Sequence, residues 1–103
     1  MVEYEGEFKS NLLGGKGKLF DQKGKLIYSG YFVEGKRNGF GIGFYRNGGK
    51  EFEGEWGNDL PNGYGALYSS LGVVMQKGEF LGGQILKEPY NYNNFASEMA
   101  SNV

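Results

Sequence analysis

A short phrase, aromatic-x-Gly-x-aromatic, returns along this chain at a fixed interval. It reads Tyr4-x-Gly6-x-Phe8, then Tyr28-x-Gly30-x-Phe32, then Phe52-x-Gly54-x-Trp56, with a partial copy in Gln76-x-Gly78-x-Phe80. The copies start at residues 4, 28, 52 and 76, so the period is 24 residues each time. A period this regular specifies one small unit stacked repeatedly along a line. It also directs the search for function to a long shared surface rather than to a single pocket.

The frame extends past the opening phrase. Eleven and thirteen residues after each start comes a glycine pair: Gly15 and Gly17, Gly39 and Gly41, Gly63 and Gly65. A closing glycine follows at Gly24, Gly48 and Gly72, and an aromatic at Phe20, Phe44 and Tyr68. Seven residues after each start stand Asn11, Gly35, Asp59 and Gly83. Asn and Asp tolerate left-handed backbone angles better than other side chains, so this position is predicted to be a turn with positive φ. Gly is very abundant, at 20 of 103 residues, and aromatics make up 17%. Glycine richness without a period would point to disorder; the strict frame and the aromatics point away from it.

Val2-Glu3-Tyr4-Glu5-Gly6-Glu7-Phe8-Lys9 alternates apolar or Gly with charge, the pattern of a half-buried strand. Residues 27–32 and 51–56 repeat it. A second strand per unit is predicted over 16–21, 40–46 and 64–69. Short hairpin connections are predicted at 21–24, 47–49 and 69–72, and longer ones at 34–39 and 58–63. Each unit is therefore one β-hairpin. The expected fold class is all-β: a single elongated, twisted antiparallel sheet of tandem 24-residue hairpins. A lone hairpin is marginal in water, and stacking supplies what one unit lacks.

The array should occupy residues 1–87, with the degraded fourth unit making a closing strand or a ragged hairpin. Residues 88–103 leave the repeat and should form a C-terminal cap or tail. Pro89 interrupts any ladder there, and Phe95–Ala100 could form a short helix capped by Asn93 or Asn94. Such a segment could cap the last hairpin or lie in the aromatic groove.

The central glycine of each phrase shares a strand face with its two flanking aromatics. A ring can lie flat over its bare backbone, and the Gly-x-Gly of the partner strand can take a facing ring in the same way. Valine at Gly30 or Gly54 is expected to clash with rings.

Lys and Arg total 11 against 12 Asp and Glu, a net charge of −1. That is no footprint for nucleic acid and a poor one for an anionic membrane surface. With no Cys and no His, a disulfide framework, a thiolate metal site, a thiol nucleophile and the commonest general base are all missing. Leu13-Gly14-Gly15-Lys16-Gly17-Lys18 superficially resembles a phosphate loop but lacks its spacing and its helix. No apolar run suggests a leader or a membrane span, so a cytoplasmic protein is expected. The expectation is a non-enzyme without cofactor or metal.

The candidate partner-binding residues are Tyr4, Phe8, Tyr28, Phe32, Phe52, Trp56 and Phe80. They form the sheet's own packing, yet a single layer has nothing to cover them fully, and an exposed aromatic stripe marks an interaction surface. A helix or extended segment of a protein partner, or a second copy of the chain, is expected on that face. The opposite parity carries Glu5, Glu7, Glu53, Glu55 and Glu79 and reads as a solvated acidic face.

The whole pattern resembles the MORN repeat family (membrane occupation and recognition nexus). The match lies in Tyr28, Gly30, Phe32, Gly35, Gly39, Gly41 and Gly48, and in Phe52, Gly54, Trp56, Gly63, Gly65 and Gly72. It covers about residues 2 to 83 and departs in the 24-residue spacing, Asn11, Asp59 and the fourth unit. The resemblance implies a scaffold: a small subunit of a cytoskeletal or ciliary assembly that binds a partner segment along its aromatic groove. Two other readings are a membrane-peripheral adaptor binding phospholipid and a regulatory accessory to an enzyme on another chain.

Overall fold

Among the described residues, eight strands follow one another in chain order, each paired with its sequence neighbours in one open antiparallel sheet. They are β1 (Glu3–Lys9), β2 (Leu12–Phe20), β3 (Leu26–Val33), β4 (Lys36–Phe44), β5 (Lys50–Gly57), β6 (Leu60–Tyr68), β7 (Val74–Leu81) and β8 (Gln84–Lys87). This computed structural model describes residues 3–87, so the expected cap at 88–103 lies outside the described residues. The tandem-hairpin expectation holds, and the fourth unit completes its hairpin with a short second strand.

The hairpin tips explain a correction. The two-residue turns are Ser10–Asn11, Glu34–Gly35, Asn58–Asp59 and Gly82–Gly83, and all eight residues have positive φ, from 50 to 90°. Positive φ at both central positions makes a type I′ turn, whose twist matches that of the flanking strands. The predicted positive φ at Asn11, Gly35, Asp59 and Gly83 is therefore observed. The longer connections expected at 34–39 and 58–63 are not. The strands resume at once, at Lys36 and Leu60, because two residues suffice to reverse the chain.

The last three tips are also tied to the hairpin before them. The amides of Gly35, Asp59 and Gly83 donate to the carbonyls of Leu13, Arg37 and Pro61, at 2.9, 3.1 and 2.9 Å. The opposite edge repeats a wider turn in which Gly24, Gly48 and Gly72 donate to the carbonyls of Asp21, Tyr45 and Ser69.

The register aligns the glycines of the frame. Gly6 faces Gly17, which faces Gly30, and the row continues through Gly41, Gly54, Gly65 and Gly78. One bare-backbone line thus crosses β1 to β7. Its glycines do two different jobs. A Cβ at Gly17, Gly41 or Gly65 would strike the ring of Tyr4, Tyr28 or Phe52. A Cβ at Gly6, Gly30 or Gly54 would instead strike the backbone of the facing strand, at Gly17, Gly41 or Gly65. The clash expected for valine at Gly30 or Gly54 therefore falls first on backbone. Hydrogen-bonded strands approach closely there, just before the register shifts between Gly6 and Phe8, Gly30 and Phe32, and Gly54 and Trp56.

Gly41→Ala probes the ring contact, since its φ is unremarkable and the atoms nearest the added methyl all belong to the buried Tyr28 side chain. It should cost about 1–3 kcal/mol in urea unfolding by overpacking. Gly24→Ala, at a turn with open space around its Cβ, should cost only about 1 kcal/mol of backbone strain. Equal losses for the two variants would contradict the packing role of the row.

Candidate interaction surface

The seven aromatic residues singled out in the sequence form one unbroken ladder. Edge-to-face contacts run Phe8–Tyr4–Phe32–Tyr28–Trp56–Phe52–Phe80, with ring centroids 4.9 to 5.4 Å apart and planes at 78 to 90°. The order interleaves the units, because the second ring of each phrase reaches back onto the first ring of the preceding one. Each such pair contributes about 0.5–1.5 kcal/mol beyond its buried area. The polar tips are satisfied: Trp56 Nε1 donates to the Gly41 carbonyl at 3.0 Å and the Tyr28 hydroxyl to the Tyr31 carbonyl at 2.9 Å.

The expectation that this stripe stands open is corrected by its burial. Tyr28, Phe32, Phe52, Trp56 and Phe80 are all at most 7% exposed, with Leu13, Leu19, Leu67 and Ile85 packed at their margins. Each ring is covered by the edges of its neighbours, which the absence of a second layer had concealed. Tyr4 is half-buried, and Phe8 alone of the seven stands well out into solvent.

Arg37 closes the middle of the ladder and was not foreseen. Its guanidinium carbon lies 4.7 Å from the Trp56 ring centroid and 5.8 Å from that of Tyr28. The same group donates through Nε to Asp59 Oδ1 at 3.2 Å and through its terminal nitrogen to the Asp59 carbonyl at 2.8 Å. The corresponding residues of the other units are Leu13, Pro61 and Ile85. Arg37 thus covers the rings with its flat cationic face where the first and fourth units pack Leu13 and Ile85 against the ladder.

The opposite face differs from the acidic surface expected of it. Glu53, Glu55 and Glu79 are there, but Tyr31, Phe40 and Tyr64 stand among them, 42, 56 and 63% exposed. Phe40 faces Glu55 across the β4–β5 pair, and Tyr64 faces Glu79 across β6–β7. Phe40, Tyr64, Ala66 and Tyr68 line a shallow depression of about 440 Å³ floored by Gly54, Gly65 and Gly78 and edged by Glu53 and Lys77. Side chains here use the other glycine of each pair: a Cβ at Gly15, Gly39 or Gly63 would meet Glu7, Tyr31 or Glu55. The Gly-x-Gly pair therefore serves both faces. Among the described residues, no group of three or more acidic side chains is placed to hold a metal ion.

A family profile for the MORN repeat matches residues 4–25, 28–50 and 52–70. No curated protein matches the chain. MORN repeats are non-catalytic modules generally associated with protein or membrane-lipid interaction.

Burial pushes the Tyr28 hydroxyl up to about 12, against the opposing pull of Arg37 and of its hydrogen bond to Tyr31. A tyrosine whose pKa is raised by folding stabilises the native state fully below its unfolded pKa. Stability should therefore hold below about pH 10 and fall as pH rises toward about 12, where folded Tyr28 is still protonated but the unfolded chain is not. Urea midpoints measured across that window should drop less steeply in Tyr28→Phe than in the parent. Identical slopes would show that Tyr28 is not the group responsible.

Proposed function

This chain belongs to the MORN repeat family, and we propose that it is a non-catalytic scaffold that binds one protein segment along its sheet. The observation that carries this reading is the row Tyr31, Phe40 and Tyr64. These aromatic side chains are exposed on a framework that the buried ladder makes rigid, and carboxylates and lysines edge them. Aromatic anchors within a charged rim are the composition of a protein-binding surface. In this reading the ladder of Tyr28, Phe32, Phe52, Trp56 and Phe80 supports the binding face rather than touching the partner. Shallow relief suits an extended segment or one side of a helix better than a small molecule, which needs an enclosed cleft. The chain then works as a cytoplasmic subunit of a larger assembly, of the cytoskeletal or ciliary kind that the family resemblance implies.

The test is cross-linked capture from native extract with the parent and with Phe40→Ser plus Tyr64→Ser. Both residues are exposed, so the double variant should melt close to the parent. A defined set of proteins captured by the parent should be lost from the folded variant. Capture of the same set by both would move the binding face elsewhere, and flotation of the parent with anionic vesicles would then favour a membrane surface.

A further inference from the structure

On the face opposite the ladder, Glu55 stands between two exposed rings. Phe40 on β4 lies directly across from it in register. Tyr64 stands on β6, the neighbouring strand on the other side, and the Glu55 side chain lies over the bare backbone of Gly63 just before it. Glu55 is itself exposed, and among the described residues it enters no ion pair. Its neighbour Glu53 differs, because Lys50 Nζ donates to Glu53 Oε1 at 2.9 Å. Lys77 faces Ala66 in the adjacent row and pairs with neither carboxylate. One unit earlier the same three seats hold Lys16, Tyr31 and Phe40, so there the chain supplies a cation itself.

The ladder face shows what two rings and a carboxylate hold. Tyr28, Trp56 and Asp59 surround Arg37, whose guanidinium carbon lies 4.7 Å from the Trp56 centroid and 5.8 Å from that of Tyr28. Its Nε donates to Asp59 Oδ1 at 3.2 Å. Phe40, Tyr64 and Glu55 are the same chemical set without a cation of their own. Residues 88–103 contain no Lys or Arg that could supply one.

We propose that Phe40, Glu55 and Tyr64 form the seat of an arginine side chain carried by the partner segment. This rests on the reading of that face as the binding surface and adds what the surface selects. Side chains two strands apart stand roughly 10 Å from one another, so a guanidinium over Glu55 comes within the ~6 Å at which both rings attract it. Its fork donates to the carboxylate while its flat faces meet the rings, a combination that an ammonium group does not offer. The rings also shed water from the ion pair, which an open surface pair lacks. The depression beside the seat, walled by the same two rings and floored by Gly54, Gly65 and Gly78, receives the neighbouring residue of the segment.

The probe is a blocked pentapeptide of one arginine between two pairs of alanines, titrated into the isotope-labelled full chain. Amide signals of Phe40, Glu55 and Tyr64 should shift with it. They should shift at least about threefold less with the citrulline counterpart, which keeps the shape and loses the charge. Glu55→Gln should erase the difference, and Glu53→Gln should keep it. Equal shifts from the two peptides, or a difference that survives Glu55→Gln, would overturn the proposal. Capture from extract separates it from the reading on which it rests. Loss of the captured set from Glu55→Gln as well as from Phe40→Ser plus Tyr64→Ser agrees with the arginine seat. Loss from the double variant alone leaves the face in place and overturns the arginine. Capture unchanged in both overturns the two together. Dimerisation of the parent that Glu55→Gln abolishes would put an arginine of a second copy in the seat and overturn the choice of partner.

Discussion

A ring resting on bare backbone is the contact on which this sheet depends. Among the described residues the sheet has no opposing layer to pack against, so its apolar side chains bury one another. The glycine row makes that possible. It lets Tyr4, Tyr28 and Phe52 lie down onto Gly17, Gly41 and Gly65, low enough for Phe32, Trp56 and Phe80 to meet them edge-on. The same row lets facing strands approach more closely than a methyl group would allow. Glycine would ordinarily weaken a strand, through its backbone freedom and its lack of a side chain to pack. Here its missing Cβ is the binding surface for the ring, so the cost is offset by aromatic burial.

This construction couples every unit to the next through two independent sets of contacts. One is the ladder, which crosses from unit to unit at Phe32 on Tyr4, Trp56 on Tyr28 and Phe80 on Phe52. The other runs along the hairpin tips, where a backbone amide reaches the preceding hairpin. A further brace joins the second and third units, where Arg37 grips Asp59 and covers Trp56. Side chains also tie the wide turns of these units, since Tyr45 donates to the Tyr68 carbonyl and Asn47 to that of Ser70. Nearest-neighbour coupling of this kind gives a linear array its cooperativity. It also holds the outer aromatic residues at fixed spacing, which a docking surface requires.

The hairpins, the ladder residues and the positive-φ turn at Asn11 and Asp59 were legible because they recur in phase. The 24-residue period selects them, and strand alternation assigns them a face. What escaped was whatever varies from unit to unit. Position nine of the frame holds Leu13, Arg37, Pro61 and Ile85, so nothing marked Arg37 as a cover for the rings. The second face draws on positions that read Glu7, Tyr31, Glu55 and Glu79, and Lys16, Phe40 and Tyr64. Comparing units hides such residues, yet they are the ones free to specialise, because the repeating frame does not prescribe them. The early restart of β4 was hidden for a related reason. Glu34 adopts φ 50° in the turn, and glutamate carries no signal for it. Burial of the ladder was missed because alternation shows which face a ring is on, not how its neighbours tilt over it.

Strand-resolved hydrogen exchange of the parent and of Phe32→Ala tests the coupling most directly. Phe32 is the rung between the first and second units, in contact with both Tyr4 and Tyr28. If the rings and glycines make one cooperative body, removing this rung lowers protection throughout the array, including β5, β6 and β7, which carry neither of the rings that meet Phe32 edge-on. Loss of protection confined to β1 through β4, with the later strands exchanging as in the parent, would contradict it. The units would then be held by strand pairing alone.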